Sequence, residues 1–390
     1  MTTPLIRRLT LQNFLSYGPE GVSVDLLPLN VLIGPNGSGK SNLLEALAIL
    51  RATTGDLQAV VREGGGVREY LWKGHRNAQP SRLDLEIQPL STDSGEILRY
   101  RIELGESLGR LELTAEQIGL SESDSTDALI LYELEDGKPL IYPEGGTRGM
   151  LSGIKVTQSV LSQLRDPVRF PDITFLVDQF SAIALFQDWN SGRRAAARRP
   201  QPTDLPLDFL LPDASNLGMV LHDIGQTSAS RDELVGYLKR FYEPARSIIT
   251  KIQGGSLQLF IEEEGGRLTP ATRLSDGTLR YLSLLAILCH PAPPPVIGIE
   301  EPELGLHPDI LPTIAELLKK ASERTQLFVT THSDTLVSAL SDTPEAILVC
   351  ESMPQGTTIE RLDPERLRSW LDEYRLGEIW RMGEIGGNRW

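Results

Sequence analysis

Residues 34–41 read Gly-Pro-Asn-Gly-Ser-Gly-Lys-Ser, and their flanks narrow what the chain can fold into. Before them, Leu29-Asn30-Val31-Leu32-Ile33 is a short apolar run suited to a buried strand. After them, Asn42 to Leu50 holds helix formers and neither Gly nor Pro. Strand, glycine turn and helix in this order form a phosphate-binding unit of an α/β fold. Glycines let the backbone wrap phosphate oxygens with no Cβ in the way. Successive N–H groups and the positive end of the helix favour a bound anion. The expected cradle is Gly34, Pro35, Asn36, Gly37, Ser38, Gly39, Lys40, Ser41 and Asn42. Lys40 is expected on the β- and γ-phosphates of ATP, and the Ser41 hydroxyl on Mg²⁺.

Three further segments carry chemistry. Pro295 to Ile299 is an apolar strand that ends in Glu300-Glu301-Pro302. Adjacent side chains on extended chain point to opposite sides. One carboxylate can hold Mg²⁺ and the other can polarise water, the division ATP hydrolysis needs; Glu300 is assigned to the metal and Glu301 to the base. In Arg273-Leu274-Ser275-Asp276-Gly277-Thr278, Ser275 is a good N-cap and Gly277 falls in the first turn of a helix running through Leu288. Its N-terminus is a second anion site. Gln326 to Thr330 is another apolar strand, and it delivers His332 at its end, where a neutral imidazole can sense the γ-phosphate and orient water.

Taken together, these segments resemble the ATP-binding-cassette (ABC) ATPases: phosphate loop, the signature Leu274-Ser275-Asp276-Gly277, an acidic strand, then a switch His. Leu9-Thr10-Leu11-Gln12-Asn13-Phe14, Glu300 to Pro308 and Leu376 to Gly387 narrow the resemblance to the RecF/SMC-related stand-alone ATPases, the group that includes the ATPase part of OLD-type proteins. The resemblance implies an α/β P-loop ATPase head with a mixed sheet, an antiparallel β subdomain and an inserted helical lobe. It also implies a head-to-head homodimer, in which Ser275 and Gly277 of one subunit complete the ATP site of the other. ABC-type ATPases join Mg²⁺ to the helical lobe through a Gln at a strand end. Gln187, after Ile183-Ala184-Leu185-Phe186, is the candidate and Gln88 the alternative.

The long separation between Lys40 and Ser275 leaves room for an insert. Residues 83–87, 97–104 and 128–132 alternate as antiparallel strands do, whereas 157–166 and 216–242 read as helices. The expected division is 1–143 for an N-terminal ATPase lobe with the β subdomain, 144–246 for a helical lobe and 247–390 for a C-terminal ATPase lobe. No heptad run marks long coiled-coil arms. Arg193, Arg194, Arg198 and Arg199 would share about half the circumference of a helix and could grip DNA phosphates; Pro200 and Pro202 argue instead for a solvated loop.

The formal net charge of −15 opposes nonspecific DNA binding and leaves only a local basic surface for it. Two cysteines, Cys289 and Cys350, form no metal or disulfide pattern; with no signal core and no apolar run long enough to span a bilayer, the expectation is a cytoplasmic protein without a membrane partner. The sequence therefore predicts a Mg²⁺-dependent ATPase that dimerises on ATP and acts on DNA in repair or anti-phage defence, beside a nuclease or another effector. The competing readings are a transporter motor and an ATP-gated scaffold.

Overall fold

The computed structural model describes residues 4–74, 79–90, 95–122, 128–135, 137–142, 149–151, 153–189 and 191–387. Its centre is a six-stranded sheet in the order Ala184–Phe186, Val296–Glu300, Gln326–Thr330, Leu29–Ile33, Ile347–Met353, Gly356–Arg361. The first five strands are parallel and the last is an antiparallel edge. Leu29–Ile33 and Gln326–Thr330 are buried along their whole length, as the apolar runs require when both faces of a parallel sheet are covered. The helix Lys40–Thr53 packs against the sheet, and a Cβ at Gly298 would overlap the Leu185 side chain.

An eight-stranded antiparallel sheet lies beside this core. It runs from Val22–Asp25 and Ile6–Gln12 through Ser81–Ile87, Glu96–Ser107, Arg110–Glu122, Ala128–Glu135 and Lys138–Ile141 to Gly149–Met150. The expected strands at 83–87, 97–104 and 128–132 are all present. Arg110–Glu122 was not anticipated. Its inward-facing residues include Glu116, which is fully buried and breaks the apolar alternation.

Two helical expectations are corrected. At 157–166 there is only a 3₁₀ turn, Val160–Ser162. Glu116 accepts from the Val160 N–H at 2.8 Å, and Ser159 caps the turn, so the local backbone is pinned to the sheet. The stretch 216–242 is two helices, Leu217–Ile224 and Ser228–Phe241. Gly225 ends the first, and the Thr227 hydroxyl caps the second. Ala184–Phe186 is a strand, as the reading of Gln187 at a strand end expects, and it forms one edge of the core sheet.

Candidate functional site

The chemistry-bearing residues gather at the carboxyl ends of the core strands, where open α/β sheets bind ligands. Leu29–Ile33 turns into the phosphate loop through Gly34, and Gly39 closes it, with φ of 147° and 95°. A Cβ at Gly34 would strike the Cys350 carbonyl oxygen; one at Gly39 would strike the Thr357 and Ser16 hydroxyls. The loop is braced from outside. The Tyr17 hydroxyl donates to the Gly39 carbonyl at 2.9 Å. Thr357 Oγ1 reaches the Ser38 carbonyl at 3.0 Å, and Asn42 Nδ2 donates to Ser16 Oγ at 2.7 Å. Sequence reasoning missed Ser16, Tyr17 and Thr357, which lie outside the motif.

Lys40 opens the helix, and its Nζ donates to the Gly34 and Pro35 carbonyls at 2.9 and 3.0 Å. Burial holds its ammonium below the ordinary lysine range, with Glu301 and Glu300 acting in the other direction. Beside it, the Ser41 hydroxyl donates to the Glu300 carboxylate. Glu301 has φ of 43°, a left-handed conformation for a residue with a Cβ. Its N–H donates to the Thr330 carbonyl at 3.0 Å. The two carboxylates therefore face different neighbours: Glu300 meets Ser41, and Glu301 lies 3.6 Å from His332 Nε2. Burial and the Lys40 charge hold the His332 imidazole below its usual range, while Glu301 opposes them.

Glu303 is another residue that sequence reasoning left without a role. Its Oε1 accepts from Thr331 Oγ1 at 2.6 Å and from the His332 N–H at 3.0 Å, which fixes the backbone that carries the imidazole. Its Oε2 is buried without a hydrogen-bond partner, and burial pushes the carboxyl above the usual range. The signal was the Glu-Pro-Glu spacing, which places Glu303 just past the strand end.

Gln187 follows the edge strand whose Phe186 pairs with Ile299, so it lies beside Glu300. Its amide donates to Glu45 Oε1 at 3.3 Å, one turn along the helix from Ser41. Gln88 instead bonds to Arg7 and shares a hollow with Pro295 and Gln326, which precede or open their strands. It is at the wrong end of the sheet for the metal, and that alternative is withdrawn.

Ser275 caps the helix Asp276–Leu288 as expected, its Oγ accepting from the Thr278 N–H at 3.0 Å. Gly277 lines a separate hollow with Trp189, Ser191, Asp276, Leu304 and Gly305, and no phosphate-loop residue lines it. The arginine cluster is not a helix: residues 191–195 turn into the 3₁₀ segment Ala196–Arg198. Arg198 is withdrawn from any phosphate-gripping set. Its guanidinium, 11% exposed, pairs with Asp276 and donates to the Leu274 and Gly192 carbonyls. Asp276 also accepts from the Gly192 N–H at 2.9 Å, so the loop is a strap on the signature. Arg193, Arg194 and Arg199 remain accessible to a partner, Arg198 alone being turned inward.

A family model described as "AAA domain, putative AbiEii toxin, Type IV TA system" matches residues 29–338, well over half of the chain. The chain belongs to this family. It is an ATPase of the AAA-domain kind. The fold is also that of solved SMC heads. One, bound to the C-winged helix domain of ScpA, is 16% identical with a TM-score of 0.59, covering 93% of this chain and 99% of that one. The Pyrococcus furiosus SMC head, with an extended coiled coil and bound to the C-terminal domain of ScpA, is 14% identical with a TM-score of 0.57, covering 95% and 99%. The Pyrococcus yayanosii SMC head is 12% identical with a TM-score of 0.52, covering 95% and 99%. Among the described residues of the ATPase, no helix is long and apolar enough to cross a membrane.

Proposed function

We propose that this ATPase hydrolyses ATP with Mg²⁺ between two copies joined head to head, and that the closed pair works on DNA within a multi-component repair or defence system. The single observation that carries the hydrolytic part is the convergence of Ser41 with Glu300 and of Glu301 with His332 at adjacent strand ends. The residues fit the nucleotide. Lys40 satisfies itself on loop carbonyls that a phosphate can replace, the buried Ser38 Oγ has no partner, and neither Gly34 nor Gly39 has room for a Cβ.

Lys40 would hold the β- and γ-phosphates, while Ser41 and Glu300 would hold Mg²⁺ with Gln187 beside them. Bound Mg²⁺ supplies neutralisation of phosphate charge. Glu301 accepts a proton from the attacking water, and His332, kept neutral by burial and Lys40, orients that water. Ser275 and Gly277 act across the dimer. Support for this is that the hollow lined by Gly277 shares no residue with the phosphate loop of the same copy.

Two of the solved SMC heads carry a protein partner, and the family description names a toxin–antitoxin system; both favour an effector beside this ATPase. The compartment that suits such a role is the cytoplasm. With a net charge of −15, DNA contact must come from a local surface that the closed pair assembles, with Arg193, Arg194 and Arg199 as its candidates. The test is the DNA affinity of Glu301→Gln protein with ATP at two salt concentrations. ATP-dependent, salt-sensitive binding is expected. No binding to single-stranded, duplex or branched DNA at low salt would leave a protein partner as the target.

A further inference from the structure

Side chains from the signature side hold both peptide carbonyls at the end of the acidic strand. Arg280, five residues past the Ser275 cap, donates from Nη2 to the Glu301 carbonyl at 2.6 Å. The Trp189 indole N–H donates to the Glu300 carbonyl at 2.7 Å. The two side chains are joined, for the Arg280 guanidinium carbon lies 4.3 Å from the Trp189 ring centroid. The neighbouring strand end needs no such help: the carbonyl of Thr330 is satisfied by the Glu301 N–H.

The arrangement is costly. Arg280 Nε is buried with no hydrogen-bond partner, and Glu301 sits in the left-handed region. Burial brings the guanidinium down to about 10, opposed by Glu303 and Glu301, so it still carries its charge at neutral pH. A buried, part-satisfied cation and a strained peptide at the same hydrogen bond would not persist for packing alone. An aliphatic side chain at 280 would fill the same space and avoid the first cost.

We propose that Arg280 is a positioning residue for hydrolysis: it clamps the Glu301 peptide in its left-handed turn, and it makes the aim of that carboxylate depend on where the signature helix sits. The proposal rests on the reading of Glu301 as base and of Ser275 as acting across the dimer. Arg280 lies little more than one turn from the helix N-terminus that meets the other copy's phosphates. A shift there passes to Glu301 of the same copy through one hydrogen bond, and to Glu300 through the Trp189 stack. Each copy's base is thereby set only when its own signature is engaged, so the two composite sites fire together.

The experiment compares Arg280→Met, Arg280→Lys and Trp189→Phe with wild type and Glu301→Gln. Arg280→Met should bind a fluorescent ATP analogue within about threefold of wild type yet fall by at least about tenfold in kcat at unchanged KM. That split is the mark of a misaimed reacting group, since weakened substrate binding would raise KM instead. Arg280→Lys, which keeps a donor, should recover part of the rate; Trp189→Phe, which keeps an aromatic ring for the cation but loses the N–H, should fall between. The ATP dependence of the rate, sigmoidal in wild type, should become hyperbolic in Arg280→Met. Without nucleotide, Trp189 emission (wild type minus Trp189→Phe) should shift when Arg280 is replaced.

If Arg280→Met melts below assay temperature, the Lys and Phe variants decide. Wild-type kcat in Arg280→Met, or a defect confined to ATP affinity, overturns the proposal while a dead Glu301→Gln leaves the base in place. Normal turnover by Glu301→Gln overturns the reading of the base and the proposal with it. A hyperbolic wild-type curve removes the coupling between sites.

Discussion

Two clusters of buried carboxylates in this molecule are built to opposite ends. Beneath the antiparallel sheet, Glu116 is fully buried and complete. It accepts from the Tyr100 hydroxyl and the Val160 N–H at 2.8 Å each, and from the Ser159 hydroxyl. At the carboxyl ends of the core strands the cluster is unfinished. Glu303 Oε2, Ser38 Oγ and Arg280 Nε are buried without partners, and Glu301 carries a left-handed backbone. A network that closes on itself fixes a fold; one with open valences and stored strain is waiting for something to bind. Burial alone does not separate the two, since it pushes both Glu116 and Glu303 above the carboxylate range.

The contrast can be broken first at Glu301. Glu301→Gln should bind ATP normally and lose turnover by a factor on the order of 10² or more, while trapping the ATP-bound pair. Steady-state hydrolysis near the wild-type rate would place the base elsewhere. Glu116→Ala should do the reverse. Three donors lose their acceptor, so chemical denaturation should show a drop of about 2–3 kcal/mol, with turnover of the folded protein within about twofold. A larger effect on turnover than on stability would make Glu116 part of the site. Glu303→Ala should lower kcat about tenfold by freeing the Thr331–His332 backbone, whereas Glu303→Gln, which keeps an acceptor, should retain most activity. Equal damage from both would assign the charge, not the anchoring, to Glu303.

The smallest effect concerns pH. The Glu116 carboxyl is raised in the folded protein, so its contribution to stability is fully present below the unfolded carboxylate value and fades as pH rises through the folded one. Glu116→Gln does not titrate. Its denaturation midpoint should therefore improve relative to wild type as pH rises above the unfolded carboxylate range. A relative decline there would reverse the sign assigned to the burial of Glu116.

The cradle and the acidic strand were legible because each is a run of adjacent residues: a glycine loop between a strand and a helix, and two carboxylates at an apolar strand end. The switch strand and the signature cap were legible for the same reason. Ser16, Tyr17 and Thr357 were not, since they reach the loop from opposite ends of the chain and make ordinary side-chain hydrogen bonds. Arg198 misled because four arginines close in sequence suggest a shared surface, and only the folded loop shows one of them turned inward onto Asp276. The missed strand Arg110–Glu122 has the same origin. A buried glutamate looks solvent-facing until its three donors, from other segments, are in place.

The strand order bears on how this chain is made. Leu29–Ile33 lies in the middle of the core sheet, and its two neighbours are Gln326–Thr330 and Ile347–Met353. A growing chain thus carries an apolar strand with both edges bare until some three hundred further residues have been added. At ~5–20 residues per second that wait is roughly 15–60 s, long compared with collapse and with hairpin formation. The antiparallel strands can pair as they emerge, but this central strand cannot, so synthesis is a period in which the chain is open to aggregation.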